Sequence, residues 1–408
     1  MFRCLAPAGH GIALNRIFRS FFQEPDDILE KLIFPQAGCF PVSSGTAALY
    51  LSLMAARKDS SRTRVILPAY SCPSLLAAVV RAGLEPVLCD LKEDSFQLDT
   101  AKLGSIVNDN TLAVIAVHLF GLPEDISQIR SVLGNGQVLL IEDAAQAFGN
   151  TLILRDASID PGGEGRNDQV RMGCVGDIGI LSFGRGKPLS SLEGGAVLVN
   201  NPDLLSNMRA EYDPLDGSYS VISRGGYLAR LLIYSFFFRP FLYWIPANMP
   251  GLGLGETRFS PDFLLKKART GMLSMAGVMM EHFEKIRKAR LNLARAYLQA
   301  LAPFGNDLAF IPGQGDGQGD IALLRFPVIF RDRQRRDLVL KKLKSQGLGA
   351  TGMYPAPLNE IPGTSQYLDP GETFPQARSL SQRILTLPVH EYVTRQDIQR
   401  IARVFSHS

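Results

Sequence analysis

Between about residues 40 and 200 the chain alternates two textures. Short apolar runs stand at Arg64–Leu67, Pro86–Asp90, Leu112–Val117, Val138–Glu142, Gly179–Phe183 and Ala196–Val199. Segments with small and apolar residues at helical spacing, such as Thr46–Ala56 and Ser74–Ala82, lie among them. Short strands alternating with helices predict a mostly parallel sheet covered by helices on both faces. In such sheets polar residues just past the C-terminal ends of strands are the usual site positions. Tyr70, His118 and Asp143 all fall there.

The texture then changes. Residues 150–173 are a polar insertion, and 202–226 have the composition of a loop. Residues 227–247, YLARLLIYSFFFRPFLYWIPA, are the most apolar stretch. A long helical pattern runs through Glu281–Leu301. After it come a Gly-rich turn (Gly313–Gly319), a strand (Ala322–Phe330), a helix over about Arg333–Gln346 and a last helix at Arg395–Phe405. The pattern predicts a large domain over 1–250, with an apolar insertion at 227–247, and a smaller C-terminal α/β domain over 251–408.

Composition narrows the classes. A chain of 408 residues that is 46% hydrophobic and 20% charged is globular in character. A net charge of +4 gives no argument for nucleic acid, and the basic run Arg331–Lys344 has the spacing of an amphipathic helix with a solvated face. The five cysteines are scattered, none in a CxxC pair, which predicts reduced thiols in a cytoplasmic protein and no metal centre. The N-terminus lacks the pattern of a secretory leader. There is no Walker A pattern, no GxGxxG after the first strand and no HExxH.

The chemistry centres on Lys187, in the loop of LSFGRGKPLSSLEGGAVLVNN (181–201). A lysine between two strands is placed to form an imine with a carbonyl, as pyridoxal 5′-phosphate (PLP) enzymes require. They also need an acid for the pyridine nitrogen and a cradle for the phosphate. IEDAAQAFG (141–149) ends a buried strand with Asp143, which fits the first role. Gln146, one helical turn on, is placed for the cofactor's phenolic oxygen. SSGTAALYLSL (43–53) opens a helix with free amides, which fits the second. Ser182 is a further phosphate donor. Each feature alone has a plain alternative: an N-cap for the SSGT turn, a helix cap for Asp143, a surface position for Lys187, a structural histidine for His118. Their ordered joint occurrence favours the PLP reading.

The motifs SSGTAAL, LPAYSCPS, AVHLFGLPEDI, IEDAAQAFG, GDIGILSFGRGK and EGGAVLVNN together resemble the DegT-type sugar aminotransferases. GMYPAPLNEIPG (352–363) and ILTLPVHEYVTRQDI (384–398) extend the resemblance, which covers most of 40–205 and 345–405. It implies the fold type I architecture of PLP-dependent transferases. By position it implies that Lys187 holds PLP, Asp143 pairs with the ring nitrogen and Gln146 approaches the phenolic oxygen. Gly45, Thr46 and Ser182 would bind phosphate, with Tyr70 or Cys72 near the ring face. His118, Tyr354 and Asn359 are candidates for contacting substrate. Many relatives carry an aromatic residue at the Cys72 position, a histidine at Asn359, and SFH where Ser182-Phe183-Gly184 stands. Relatives that dehydrate replace the lysine by histidine, so Lys187 points to transamination.

The expected reaction moves an amino group, from glutamate, to a keto-sugar carried on a nucleotide, in the synthesis of surface polysaccharide or glycolipid precursors. A homodimer is expected. Two other classes stay open: a PLP-binding regulator or scaffold, and a membrane-associated PLP enzyme acting on a lipid-linked or non-sugar ketone. The resemblance does not reach 227–247. Arg230, Arg239, Pro240 and Pro246 argue against a bilayer span. What remains is a buried helix pair, a dimer surface, or an interfacial helical hairpin peripheral to the inner membrane face. The hairpin would insert Phe236, Phe237, Phe238, Phe241, Tyr243 and Trp244, with Arg230 and Arg239 beside lipid phosphates.

Overall fold

The computed structural model describes residues 3–24, 38–134, 137–153, 169–249, 258–312 and 321–407. The Gly313–Gly319 turn and most of the 150–173 insertion lie outside them. In chain order the first part comprises α1 (Leu14–Ser20), β1 (Gly38–Val42), α2 (Gly45–Arg57), β2 (Arg64–Pro68), α3 (Pro73–Arg81) and β3 (Glu85–Cys89). Then follow α4 (Thr100–Ile106), β4 (Thr111–Val117), α5 (Ile126–Leu133), β5 (Leu139–Asp143), β6 (Thr151–Ile153), β7 (Gln169–Arg171), β8 (Ile178–Ser182) and β9 (Gly195–Val199).

Seven of these strands form one sheet in the order β1-β9-β8-β5-β4-β2-β3. The run β3-β2-β4-β5-β8 is parallel throughout, and β9 is antiparallel to both β8 and β1. Every residue of β4, β8 and β9 is buried. That is why these strands appear in the sequence as unbroken apolar runs and not as alternations. The mostly parallel, helix-covered sheet expected from the pattern is present. Side chains at the C-terminal ends of β5 and β8 therefore open toward the same edge.

The second part begins with α6 (Leu205–Tyr212), α7 (Val221–Phe237) and the single turn α8 (Trp244–Ala247). It continues with α9 (Thr270–Glu281), α10 (Phe283–Leu301), β10 (Leu308–Phe310), β11 (Arg325–Phe330), α11 (Arg333–Ser345), α12 (Pro375–Arg383), β12 (Ile384–Pro388) and α13 (Arg395–Ser406). β10, β11 and β12 make a small antiparallel sheet. The basic helix α11 buries Val339 and Leu343, and with them Arg336, while Arg333, Lys341, Lys342 and Lys344 face outward. Segments far apart in sequence are tied together at two places. The Leu5 amide donates to the Gly347 carbonyl (2.8 Å) and His390 meets the Ala6 carbonyl (2.9 Å). The Ser43 amide donates to Lys266 and the Ala268 amide to Pro41, each at 3.0 Å, alongside β1.

Two expectations need correction. Residues 202–226 are not a loop: α6 lies within them and α7 starts there, capped by the Ser220 side chain. Glycines and serines lower helix propensity, but tertiary packing of Met208 and Tyr227 overrides it. Nor do residues 227–247 form a buried helix pair or a two-helix hairpin. One helix ends at Phe237 and only a single turn follows. α7 buries Tyr227, Leu231 and Ser235 and exposes Leu232, Ile233 and Phe236, with Phe241 and Trp244 exposed beyond it. Arg230 bonds to Glu193 at 2.9 Å, with about half of its side chain still exposed. No helix of the described residues is long and apolar enough to cross a membrane.

Candidate active site

At the C-terminal edge of the large sheet is a cavity of about 280 Å³. Gly45, Thr46, Cys72, Asp143, Gln146, Ser182, Lys187 and Tyr354 all line it, so elements far apart in the chain converge there. The cradle is built by the start of α2. Its N-cap Ser44 accepts the Ala47 amide (3.1 Å), leaving the first amides of the helix pointed at the cavity mouth. Gly45 is required: a Cβ there would stand 2.9 Å from the Ser182 Cβ and 3.2 Å from its Oγ, inside the cradle. Gly195 packs as tightly from the other side, where a Cβ would meet the Ser44–Gly45 backbone at 2.6 Å.

Asp143 ends β5 with one carboxylate oxygen accepting the Ala145 amide (2.9 Å). It is partly buried and lines the cavity. Burial pushes its carboxyl above the ordinary aspartate value, and the Lys187 cation opposes that shift. A cationic partner in the cavity would therefore keep it ionised. Lys187 sits on the turn after β8, where its amide donates to Gly184 (3.2 Å). Gln146 lines the cavity but is not free. Its Oε1 accepts the Phe120 amide (3.2 Å) and its Nε2 donates to the Tyr354 hydroxyl (3.4 Å).

Three expected site residues do not line the cavity. Tyr70 is buried behind Tyr354, edge to ring with centroids 5.4 Å apart, whereas Cys72 lines the cavity. The Cys72 sulfur accepts from the Ser74 hydroxyl at 3.0 Å. His118 is fully buried. Its Nδ1 accepts the Glu124 amide (3.0 Å), which places its proton on Nε2, donating to Glu142 (2.9 Å). Asn359 donates to the Glu372 carbonyl (2.8 Å) within its own loop. Neither His118 nor Asn359 therefore faces this cavity: His118 is held by Glu142 and the Glu124 amide, and Asn359 by one donor to Glu372, with its Oδ1 buried and unpartnered.

Glu142 explains what His118 does. Burial pushes its carboxyl up, but His118 and the Gly173 and Gly176 amides more than offset this and hold it below the ordinary value. It ties the loop entering β8 to β5, one residue before Asp143. Other missed residues hold the lysine loop. Tyr227 on α7 donates to the Ser191 carbonyl (2.9 Å), and Glu193 is gripped by Arg230 and Arg269. Glu193 was visible in the EGG motif, but nothing local in the sequence announces its partners.

The comparisons decide the family. The model of the DegT/DnrJ/EryC1/StrS aminotransferase family matches residues 34–214 and 273–406. The chain belongs to that family. It is 26% identical to the erythromycin biosynthesis sensory transduction protein EryC1 of Saccharopolyspora erythraea over 88% of this chain and 82% of that one. It is 33% identical to the GDP-perosamine synthase of Caulobacter vibrioides over 41% of each chain. Spr1654 of Streptococcus pneumoniae in its PLP form matches with a TM-score of 0.74 at 17% identity, over 98% of this chain and 97% of that one. PseC of Helicobacter pylori, an aminotransferase involved in pseudoaminic acid biosynthesis, matches at 0.74 and 16%, over 99% and 98%. The fold is the fold type I architecture of PLP-dependent transferases, and the protein is a PLP-dependent aminotransferase.

Proposed function

We propose that this aminotransferase transfers an amino group from glutamate to a keto-sugar carried on a nucleotide, for surface polysaccharide or glycolipid precursors. The observation that carries the reading is the convergence of Lys187, Asp143 and the Gly45–Ser182 cradle on one cavity. The names of several relatives, GDP-perosamine synthase among them, support a sugar acceptor. Two relatives that match most of the chain carry regulatory names, EryC1 and a pleiotropic regulatory protein of Geobacillus stearothermophilus. The complete Lys187–Asp143 pair favours turnover over a purely regulatory role here.

The residues present suit the cofactor. PLP supplies, when bound, an electron-withdrawing ring and a carbonyl that takes up the amino group. Asp143 holds a proton on the ring nitrogen through a charge-assisted hydrogen bond. The Gly45 and Thr46 amides and the Ser182 hydroxyl bind the phosphate. Lys187 Nζ takes the proton from the α-carbon of the amino donor and later returns one to the acceptor carbon. Tyr354 and Gln146, joined by their hydrogen bond, close one side against water. In this reading residues 1–250 hold the cofactor and 251–408, through Tyr354, complete the pocket.

A homodimer belongs to the proposal. The exposed apolar face of α7, with Phe241 and Trp244, joins exposed Leu14, Phe18, Phe21 and Phe22 at and just beyond the neighbouring α1. Exposed aromatic and aliphatic side chains grouped in this way suit contact with a second copy of the chain. Sedimentation of wild type against Phe236→Ser/Phe241→Ser tests this. A dimer that falls to monomer supports it, whereas a monomeric wild type that floats with anionic liposomes would assign the face to lipid. For the reaction itself, glutamate should bleach the cofactor's visible band with release of 2-oxoglutarate, and a nucleotide-linked keto-sugar should restore it. Binding of PLP with no spectral response to any amino acid would overturn the proposal in favour of a regulator.

A further inference from the structure

A second cavity, of about 420 Å³, lies between the chain after Gly11, α7, α10 and the turn after β12. That volume suits a small organic ligand. Its charged lining is Arg16, Arg239, Lys285, Arg290 and Glu391, with His390 beside them. Arg290 is 1% exposed, and its Nε and Nη2 have no hydrogen-bond partner. A buried guanidinium with two idle donors is costly to maintain without an acceptor. Its remaining nitrogen, Nη1, donates to the Pro188 carbonyl at 3.3 Å, one residue beyond Lys187. Glu391 is the one acidic residue of the lining, and one of its oxygens already accepts the Gly11 amide at 2.5 Å. Burial pushes His390 down to about 4, so it adds no charge near neutral pH. Four cations against one carboxylate leave a surplus suited to a multivalent anion, more than a monocarboxylate would satisfy. Guanidinium groups bind phosphate oxygens in pairs, which matches the idle Nε and Nη2 of Arg290.

We propose that this cavity is a binding site for a diphosphate group, with Arg290 at its floor and Arg16, Arg239 and Lys285 around it. The group comes either from free pyrophosphate or from a nucleoside diphosphate; the chemistry recognised is the same. Bound there, it would fix Arg290 and, through Pro188, the backbone next to Lys187.

Titration calorimetry on the PLP-saturated protein tests this with inorganic pyrophosphate, UDP and uridine. Pyrophosphate and UDP should bind, more weakly as salt rises, and uridine should not. Tighter binding of UDP than of pyrophosphate identifies the nucleotide as the source; equal binding identifies the free anion. Arg239→Gln/Lys285→Gln, at the partly exposed rim, should weaken both anions by about tenfold to a hundredfold while leaving the melting transition and the PLP spectrum intact. Arg290→Lys should do the same, and if it fails to fold the rim variant decides. Absence of anion binding, or binding unchanged in the rim variant, overturns the inference. Binding lost in Gly45→Ala but kept in the rim variant would place the anion in the cofactor pocket and overturn it as well. None of these outcomes bears on transamination, which stands or falls on the glutamate half-reaction.

Discussion

Asp143→Asn is the substitution whose consequences follow most directly from the geometry. Asparagine has the same shape, and its Oδ1 can still accept the Ala145 amide that aspartate accepts at 2.9 Å. What it removes is one negative charge on the wall of a cavity shared with Lys187. An opposite charge at hydrogen-bonding range shifts a pKa by about 1–3 units, so losing Asp143 should lower the protonated fraction of the cofactor's ring nitrogen by roughly 10- to 1000-fold. The rate of α-proton removal depends on that protonated form, so the single-turnover rate with glutamate should fall by a similar factor, about 1.4–4 kcal/mol of barrier. PLP affinity should change less, because the Gly45–Ser182 cradle is untouched. The assay is stopped-flow absorbance of the cofactor band, with a thermal melt on the same sample. A variant that turns over within about threefold of wild type would refute the argument. So would a slow variant whose cooperative melt is lost, because Asp143 would then be a structural cap.

Three further outcomes follow. Gly45→Ala places a methyl 2.9 Å from the Ser182 Cβ, so PLP affinity measured by equilibrium dialysis should drop by about tenfold or more, with the fold retained. His118→Ala leaves the buried Glu124 amide and Glu142 short of a partner. Chemical denaturation should show a loss of about 1–3 kcal/mol, while KM for substrates is unmoved, since His118 does not reach the cavity. Burial raises Glu124 from 4.5 to about 8. Its folded-state pKa lies above the unfolded one, so its contribution to stability is full below pH 4.5 and is lost as pH rises through about 8. Denaturation midpoints of wild type against Glu124→Gln, whose side chain stays neutral as protonated Glu124 is, should lie together at low pH and separate as pH rises through about 8, wild type falling below the variant; parallel curves would contradict the assignment.

The large sheet was legible because β4, β8 and β9 are buried on both faces and their apolar runs are unbroken. The edge strand β1 was not identified, since GCFPV has no such run. Lys187, Asp143, Gly45, Thr46, Ser182, Gln146, Cys72 and Tyr354 do meet at one cavity, as the ordered motifs suggested. Position after a strand told that Tyr70 and His118 lie at the same edge, but not which way their side chains turn. For His118 the answer depends on Glu142, a charge hidden inside a strand and satisfied by loop amides more than thirty residues on. The role of 227–247 was invisible for a similar reason. Tyr227 and Arg230 reach back across the fold to Ser191 and Glu193, and no local pattern encodes that contact.

We propose that Lys187 is the residue that holds the cofactor. Borohydride reduction of the purified, PLP-loaded protein, followed by peptide mass mapping, tests it most directly. One stable pyridoxyl group per chain is expected on the peptide containing Lys187, and none in Lys187→Ala, which still folds. A full equivalent of reduced adduct in Lys187→Ala, or an adduct mapped to another lysine in the wild type, would contradict it.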